Sequence, residues 1–173
     1  MCFLKGMKTW HLRLGGGESH LDAFTDVDWG GDRDNHCSIG AYIVKVGSGT
    51  VSWKSKKQTC VALSSTEAEY VALCQVAKEC KWLLEFLGGL GFISQHSLVA
   101  HIDNTGVISL AKNPVFHDRS KHIDIQYHFT RRLVWKGCLG LAYLPTKEML
   151  TDLLTKPLPH AQHKYLACSI GLF

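Results

Sequence analysis

Hydrophobic and polar residues alternate along several short stretches of the chain, which is the pattern of strands with one buried face. Residues 20–27 (HLDAFTDV) form the first such stretch. Segments 39–46 (IGAYIVKV) and 50–57 (TVSWKSKK) follow, and because only GSG separates them they are predicted to pair as an antiparallel hairpin. Two later apolar runs, 97–103 (SLVAHID) and 138–144 (CLGLAYL), bring the number of predicted strands to five.

Helical spacing of apolar residues predicts the helices that lie between and after these strands. The longest is expected from Ser64 or Ser65 to about Leu87, since SSTEAE carries a capping box and GGLGF supplies a glycine stop. Others are predicted at NTGVISLAKN, at 121–136, at 145–156 between two prolines, and at HAQHKYLACSIGL near the C-terminus. Three antiparallel strands followed by strand–helix units imply an α/β fold with a mixed five-stranded sheet flanked by helices.

Composition is that of an ordinary globular domain. The 173 residues suffice for one domain with a buried core, and 46% hydrophobic with 20% charged residues argues against disorder. Apolar runs fall short of the roughly 18 residues of a membrane helix and there is no signal-peptide layout, so an intracellular protein is expected. Seven scattered cysteines without a CxxC pair predict reduced thiols. A net charge of +4 suits a polyanionic partner.

Four acidic residues are distributed over four predicted elements in a way that favours one shared metal site. Asp26 and Asp103 end predicted strands, while Glu69 and Asp152 lie on predicted helices. Such carboxylates can converge on Mg²⁺, which prefers hard oxygen ligands, and two Mg²⁺ ions can clamp both reacting oxygens of a phosphodiester. Taken singly, each acid could be a surface charge or a helix cap, and Asp103 directly precedes a predicted helix. Together they predict cleavage of nucleic acid.

Basic and polar residues in two segments are candidate contacts to nucleic acid. The third strand carries WKSKK, whose lysines can follow phosphates, although a solvated strand end has the same composition. Ser55 and Gln58 could reach the backbone or sugar 2′-hydroxyls. In the block HDRSKHIDIQYHFTRR, His117 or His122 could donate a proton near the active site. The candidate nucleic-acid-binding residues are Lys54, Lys56, Lys57, Gln58, Asn104, Arg119 and Lys121.

Six motifs follow one another over residues 22–158: TDVDWGGD, SIGAYIVKVGSGTVSWKSKKQ, VALSSTEAEYVAL, HIDNTGVISLAKNP, HDRSKHIDIQYHFTR and LTDLLTKPL. In this order they resemble the ribonuclease H domain of copia-type LTR retrotransposon polyproteins. The start, FLKGMKTWHLRL, resembles the end of the preceding reverse transcriptase connection. The resemblance therefore divides the chain into a remnant of that connection at 1–18 and a ribonuclease H-like domain at 19–173.

The resemblance implies a ribonuclease H-like fold and cleavage of the RNA strand of an RNA–DNA hybrid with two Mg²⁺ ions, for which Mn²⁺ is a substitute. By position in the motifs it assigns metal ligation and catalysis to Asp26, Glu69, Asp103 and Asp152. The expected partners are the hybrid and the reverse transcriptase domain of the same polyprotein, with no membrane. The expected location is the cytoplasmic retrotransposon particle, with the nucleus as the alternative.

Two neighbouring acids are weighed against the assigned ones. Asp28 would share the face of Asp26 only while the strand persists, and the following WGG predicts that the strand ends there. Glu67 lies two residues before Glu69 on a helix, roughly 200° away, so the two cannot both face one site.

Two other functions remain open at this level. The domain could be a weak or inactive module that holds hybrid for an attached polymerase; Val27 and Thr151, which stand where the resembled family usually has alanine, lie beside proposed ligands. An integrase of the same fold superfamily fits less well, because such sites use three acids and lack the SSTEAEY and LTDLLTKPL motifs.

Overall fold

The computed structural model describes residues 9–14, 20–32, 34–92, 98–113 and 121–173, with the backbone alone for 121–124. Its strands are β1 (Leu21–Asp28), β2 (Ile39–Val46), β3 (Gly49–Lys57), β4 (Leu98–Ile102) and β5 (Leu139–Tyr143). All five predicted strands are confirmed, and each end lies within one residue of its predicted position.

The five strands form one mixed sheet in the order β3-β2-β1-β4-β5. The pairs β1–β2 and β2–β3 are antiparallel, which confirms the predicted hairpin, whereas β1–β4 and β4–β5 are parallel. The mixed five-stranded sheet expected from the order of elements is thus confirmed. Because β1 and β4 are parallel neighbours, their carboxyl ends lie side by side at one edge of the sheet.

The longest helix, α1 (Ser65–Gly89), begins at a side-chain cap, as the capping-box pattern predicts. Ser64 Oγ accepts a hydrogen bond from the backbone N–H of Glu67 at 3.2 Å. Glu67 Oε2 accepts one in return from the backbone N–H of Leu63 at 3.0 Å. Beyond the helix, Gly91 has a φ of +75°, a left-handed conformation that favours glycine and ends the helical path.

Helices α1, α2 (Thr105–Lys112) and α3 (Lys121–Trp135) cover one face of the sheet. The main hydrophobic core lies beneath them, where the rings of Tyr70 and Tyr127 pack with centroids 4.0 Å apart. Its largest fully buried side chains include Tyr70, Leu21, Leu73, Leu98, Ile102, Leu139, Val44, Val76 and Val107. Burial of this apolar face is what holds α1 against β1 and β2.

The opposite face carries the chain's last helices, α4 (Asp152–Thr155) and α5 (His160–Ser169). The single helix predicted over 145–156 is wrong. A 3-10 turn at Thr146–Glu148 and α4 are separated by residues 149–151, and the backbone of Met149 is extended (φ −69°, ψ 110°). Met149 and Leu150 are both buried, and Leu150 packs with Ile43 of β2 and Leu166 of α5. At this break the chain gives up helical hydrogen bonds, and it buries two apolar side chains.

The described part of the N-terminal segment, residues 9–14, pairs with the C-terminus. The backbone N–H of His11 donates to the Phe173 carbonyl at 2.9 Å, and that of Arg13 donates to the Gly171 carbonyl at 2.8 Å. Residues 1–8 and 15–19 lie outside the described residues. The proposed division of the chain between residues 18 and 19 stays a prediction.

Six cysteines lie among the described residues and all are free thiols, which confirms the expectation of reduced cysteines at those positions: Cys37, Cys60, Cys74, Cys80, Cys138 and Cys168. In the same described ranges, every helix is too short or too polar to cross a bilayer.

Candidate active site

The carboxyl ends of β1 and β4 bring Asp26 and Asp103 to one edge of the sheet. Asp26 lies in β1 and is 3% exposed, although it is a charged residue. Asp103 directly follows the last residue of β4 and is half-buried. Thr146, in the 3-10 turn, donates a hydrogen bond to Asp103 Oδ2 at 2.8 Å. The connection after β5 therefore fixes the orientation of the carboxylate that follows β4.

Helix α1 presents Glu69 to the same edge. The side-chain amide of Asn104 donates a hydrogen bond to Glu69 Oε1 at 3.1 Å. The other oxygen, Oε2, is buried and has no hydrogen-bond partner among the described residues. Glu67 is instead engaged in capping α1, as the helical geometry predicts. Asn104, which directly follows Asp103, thus joins the helix carboxylate to the end of β4.

Asp152 enters from the other face of the sheet as the first residue of α4, and it is 3% exposed. The ammonium group of Lys156 lies between the two buried acids, 2.9 Å from Asp152 Oδ1 and 3.0 Å from Asp26 Oδ2. The hydroxyl of Thr155 also donates to Asp26 Oδ2, at 2.7 Å. Asp152 at the start of α4 and Asp26 in β1 therefore share one ammonium group, that of Lys156, the residue after α4.

Asp28 is a separate case, because β1 continues through it. The strand ends at Asp28, directly before the WGG turn and one residue beyond its predicted end. The Asp28 carboxylate packs against the turn that follows, where a Cβ atom at Gly31 would lie only 2.1 Å from Asp28 Oδ2. Asp26, by contrast, contacts the residues around Asp152.

The pKa values of Glu69 and Asp152 are raised by burial and by the neighbouring carboxylates. Burial raises the pKa of Glu69 to about 7, and the negative charges of Asp103 and Asp26 act in the same direction against the hydrogen bond from Asn104. Burial also raises the pKa of Asp152, assisted by the charge of Asp26 and opposed by Lys156. Glu69 and Asp152 are therefore more costly to ionise, first because they are buried and second because other carboxylates are near, and a bound cation would relieve both effects.

The donor set suits a hard divalent cation. All four groups are carboxylates, and the buried, unpartnered Glu69 Oε2 is an oxygen that a metal ion would satisfy. Within the described residues, no three acidic, His or Cys side chains are already spaced to hold a metal ion. The ammonium group of Lys156 pairs with Asp26 and Asp152, and these two carboxylates would have to release it in order to ligate an ion. The residues fit Mg²⁺ or Mn²⁺ in chemistry, and binding requires their side chains to move.

Three of the lysines predicted to bind nucleic acid lie together. Lys54, Lys56 and Lys57 are exposed on β3, and they line a polar cleft of about 390 Å³ with Gln75 and Lys78 of α1. Lys78 was not predicted, because it stands alone in the sequence and joins the other lysines only when α1 packs beside β3.

The other predicted nucleic-acid contacts are placed differently. Gln58 is 3% exposed and donates to the Ala68 carbonyl at 2.8 Å, so the structure assigns it to packing rather than to the nucleic-acid surface. Asn104 caps α2 and binds Glu69, and its contact with nucleic acid stays a prediction. Predictions for four residues fall outside the described positions or side chains: Arg119, Lys121 and the two candidate proton donors His117 and His122.

Sequence reasoning missed three residues that organise the site: Thr146, Thr155 and Lys156. The only local signal was the spacing of four residues between Asp152 and Lys156, which places an acid and a base on one side of a helix. The contacts of Thr155 and Lys156 with Asp26 join residues about 130 positions apart, and they exist only because α4 packs against β1 and β2.

Comparison with known sequences finds proteins of plant transposons. The chain is 43% identical over 152 residues to the Retrovirus-related Pol polyprotein from transposon RE1 of Arabidopsis thaliana, which is 88% of this chain and 10% of that protein. It is 40% identical over 166 residues to the corresponding polyprotein from transposon TNT 1-94 of Nicotiana tabacum, which is 96% and 12%. The chain thus spans about a tenth of the length of these curated relatives. No protein-family model matches it.

Comparison with solved structures finds RNase H domains. The N-terminal RNase H domain of a Mycobacterium tuberculosis protein superposes with a TM-score of 0.57 at 14% identity, over 88% of this chain and 99% of that one. The foamy viral protease-reverse transcriptase in complex with an RNA/DNA hybrid gives 0.54 at 17% identity, over 86% and 20%. The retrovirus-related Pol polyproteins of plant transposons are therefore homologues of this chain, and its fold is that of RNase H domains.

Proposed function

We propose that this chain is the ribonuclease H domain of a copia-type retrotransposon and that it cleaves the RNA strand of RNA–DNA hybrids during reverse transcription. One observation carries the proposal. Asp26, Glu69, Asp103 and Asp152 come from four elements to one edge of the sheet, where burial and the neighbouring carboxylates raise the pKa values of Glu69 and Asp152. The fold and the transposon homologues support this chemistry over that of an unrelated metal site.

In this proposal Asp26, Glu69, Asp103 and Asp152 would hold two Mg²⁺ ions. The ions would supply an activated water for in-line attack on phosphorus and would neutralise charge on the leaving 3′ oxygen. The chain's own residues keep the carboxylates in place. Asn104 orients Glu69, Thr146 orients Asp103, and Thr155 orients Asp26. No nucleophilic side chain is required.

The lysine-lined cleft between β3 and α1 supports a polyanionic substrate. Lys54, Lys56, Lys57 and Lys78 line a polar cleft, where their charges would follow a phosphate backbone. Two solved relatives in fold, the foamy viral protein and LC11-RNase H1 (TM-score 0.50), are described in complex with an RNA/DNA hybrid.

A reverse transcriptase domain of the same polyprotein is the proposed partner, since the homologues are Pol polyproteins. The cytoplasmic retrotransposon particle remains the proposed location, with the nucleus as the alternative.

The alternative function is an inactive module that binds hybrid without cleaving it. The ion pairs of Lys156 favour it, because they show that Asp26 and Asp152 can be neutralised without a metal. Val27 and Thr151, the two residues beside the proposed ligands that stand where the resembled family usually has alanine, have different surroundings. Val27 packs with Ala62, Ala68 and Ala72 in a small buried cluster, whereas Thr151 is fully buried with a hydroxyl that has no hydrogen-bond partner among the described residues.

The test is incubation of the purified chain with an RNA–DNA hybrid labelled on either strand, in Mg²⁺, in Mn²⁺ and in EDTA, beside Asp103→Asn. Metal-dependent loss of the RNA strand alone, abolished by Asp103→Asn, supports the nuclease. Salt-sensitive hybrid binding without cleavage supports the inactive module. Cleavage that persists in EDTA would contradict the two-metal mechanism.

A further inference from the structure

Lys156 has an unusual position for a lysine near a proposed metal site. Its ammonium group forms short ion pairs with two acids whose side chains are only 3% and 5% exposed, while its own side chain is 34% exposed. Asp26 and Asp152 place two carboxylates in a nearly dry environment, where like charges repel strongly. The ammonium group cancels one of these charges and therefore stabilises the metal-free protein.

We propose that Lys156 is an internal counter-ion that occupies the Asp26–Asp152 half of the site in the metal-free protein, and that a divalent cation binds there by displacing its ammonium group. This inference rests on the proposed function, because it takes the four carboxylates as metal ligands. It adds a residue that controls how readily the site accepts its ion.

The contacts show why the two cations compete. Lys156 uses Asp26 Oδ2 and Asp152 Oδ1, and Asp26 Oδ2 also accepts the hydroxyl of Thr155. A metal ion ligated by these oxygens would take the place of the ammonium group. Repulsion between a divalent ion and the lysine charge at this distance would oppose any arrangement that keeps both.

The position of Lys156 allows it to leave. It is the residue that ends α4, with an extended backbone (φ −132°, ψ 146°), so its side chain can swing without breaking the helix. Lysine carries its charge on a flexible four-carbon stem, and its partly exposed side chain has solvent beside it. Displacement therefore needs rotation of one side chain and no change in fold.

The other half of the site is formed by Glu69 and Asp103, and uncharged groups donate its hydrogen bonds. Glu69 accepts its hydrogen bond from the uncharged amide of Asn104, and Asp103 accepts from the hydroxyl of Thr146. Among the residues that the structure describes, no lysine or arginine forms an ion pair with either of these two carboxylates, so a cation there would displace none of them. The Asp26–Asp152 half should therefore be the weaker of the two, by the amount that Lys156 contributes.

The test is calorimetric titration of Mg²⁺ into the wild type and into Lys156→Met, Lys156→Gln and Lys156→Arg. Lys164→Met, which removes an exposed charge from α5, is the matched control. The two neutral variants are expected to bind Mg²⁺ at least about tenfold more tightly, because a positive charge about 3 Å from the ligands is gone. Lys156→Arg and Lys164→Met are expected to stay near the wild type.

Thermal unfolding supplies a second reading that does not depend on activity. In EDTA the neutral variants are expected to unfold at a lower temperature than the wild type, and Mg²⁺ is expected to raise that temperature more than it does for the wild type. If one neutral variant does not fold, the other provides the comparison.

Equal Mg²⁺ affinity in the wild type and both neutral variants would overturn the inference while leaving a nuclease intact, provided that hybrid cleavage persists. Absence of Mg²⁺ binding in every variant, together with no cleavage, would overturn the inference and the proposed function at once. The two failures are therefore distinguishable.

Discussion

The side-chain nitrogen of Asn104 donates a hydrogen bond to Glu69 Oε1 at 3.1 Å. Its side-chain oxygen, Oδ1, accepts hydrogen bonds from the backbone N–H groups of Gly106 and Val107 at the start of α2. One residue thus caps a helix and orients a carboxylate of the candidate site. These two tasks use opposite ends of the same amide, so substitutions can separate them.

Asn104→Ser should separate capping from orientation. Serine is a good N-cap, but its side chain is too short to reach Glu69, so stability should stay within about 0.5 kcal/mol of the wild type. Hybrid cleavage should fall roughly 10- to 100-fold, as is typical when a partner of a metal ligand is lost. Asn104→Ala should show the same loss of cleavage and an added destabilisation of about 1 kcal/mol. Urea unfolding and cleavage rates check both, and full activity in Asn104→Ser would contradict the orienting role.

The raised pKa of Glu69 should make the metal-free protein less stable as the pH rises. The folded-state pKa is about 7 against an ordinary 4.5, so the folded protein binds more protons than the unfolded chain between these values. Stability from this group should therefore be present below pH 4.5 and lost as the pH rises to about 7. Urea midpoints in EDTA between pH 5 and 8 should fall less steeply in Glu69→Gln than in the wild type. Parallel curves would show that Glu69 does not titrate in this range.

The hydroxyl of Thr155 should matter for both stability and cleavage. It donates to the buried Asp26 Oδ2 at 2.7 Å, and its loss in Thr155→Val would leave that carboxylate short of a donor. The expected cost is about 1–3 kcal/mol in urea unfolding without metal, together with slower hybrid cleavage. Thr155→Ser keeps the hydroxyl and serves as the matched control. A Thr155→Val protein that matches this control in both measurements would contradict the role of the hydrogen bond.

The cleft between β3 and α1 should contribute to hybrid binding through phosphate contacts. Lys56→Gln and Lys78→Gln should each weaken hybrid binding whatever the hybrid sequence. In a plot of log binding constant against log salt concentration, each substitution should reduce the slope by about one. Fluorescence anisotropy with a labelled hybrid in EDTA measures this without cleavage. Lys164→Gln, on the exposed surface of α5, is the control. Unchanged salt slopes in both cleft variants would place the hybrid elsewhere.

Much of the fold could be predicted because its signals are local. Alternation located the strands to within one residue, and the capping box located the start of α1. The prediction of one helix over 145–156 was wrong because the composition of this segment favours a helix, whereas the chain becomes extended at Met149 and buries both Met149 and Leu150. The prediction for Gln58 was wrong for a related reason, since its polarity suggested a surface contact, whereas its side chain is buried and its amide nitrogen donates to the Ala68 carbonyl inside the protein.

The candidate site was only partly predictable. Its four carboxylates stand in motifs that mark them, and the structure brings them to the predicted edge of the sheet, with their roles as ligands still a prediction. The residues that orient and neutralise them, Thr146, Thr155 and Lys156, act through contacts between distant segments. Such contacts leave no periodic pattern in the sequence, and they become visible only when α4 and the 3-10 turn are placed against the sheet.

The most direct test of the central claim is whether the four acids act as one catalytic unit. Hybrid cleavage in Mg²⁺ would be measured for single Asn or Gln variants of Asp26, Glu69, Asp103 and Asp152, for their pairs, and for Glu85→Gln, an exposed acid on α1, as the control. Each single variant should lose at least about 100-fold in rate and pairs should lose little more, because groups that work as a unit are non-additive. Near-wild-type cleavage in any of the four, or losses that multiply in the pairs, would contradict a single shared site.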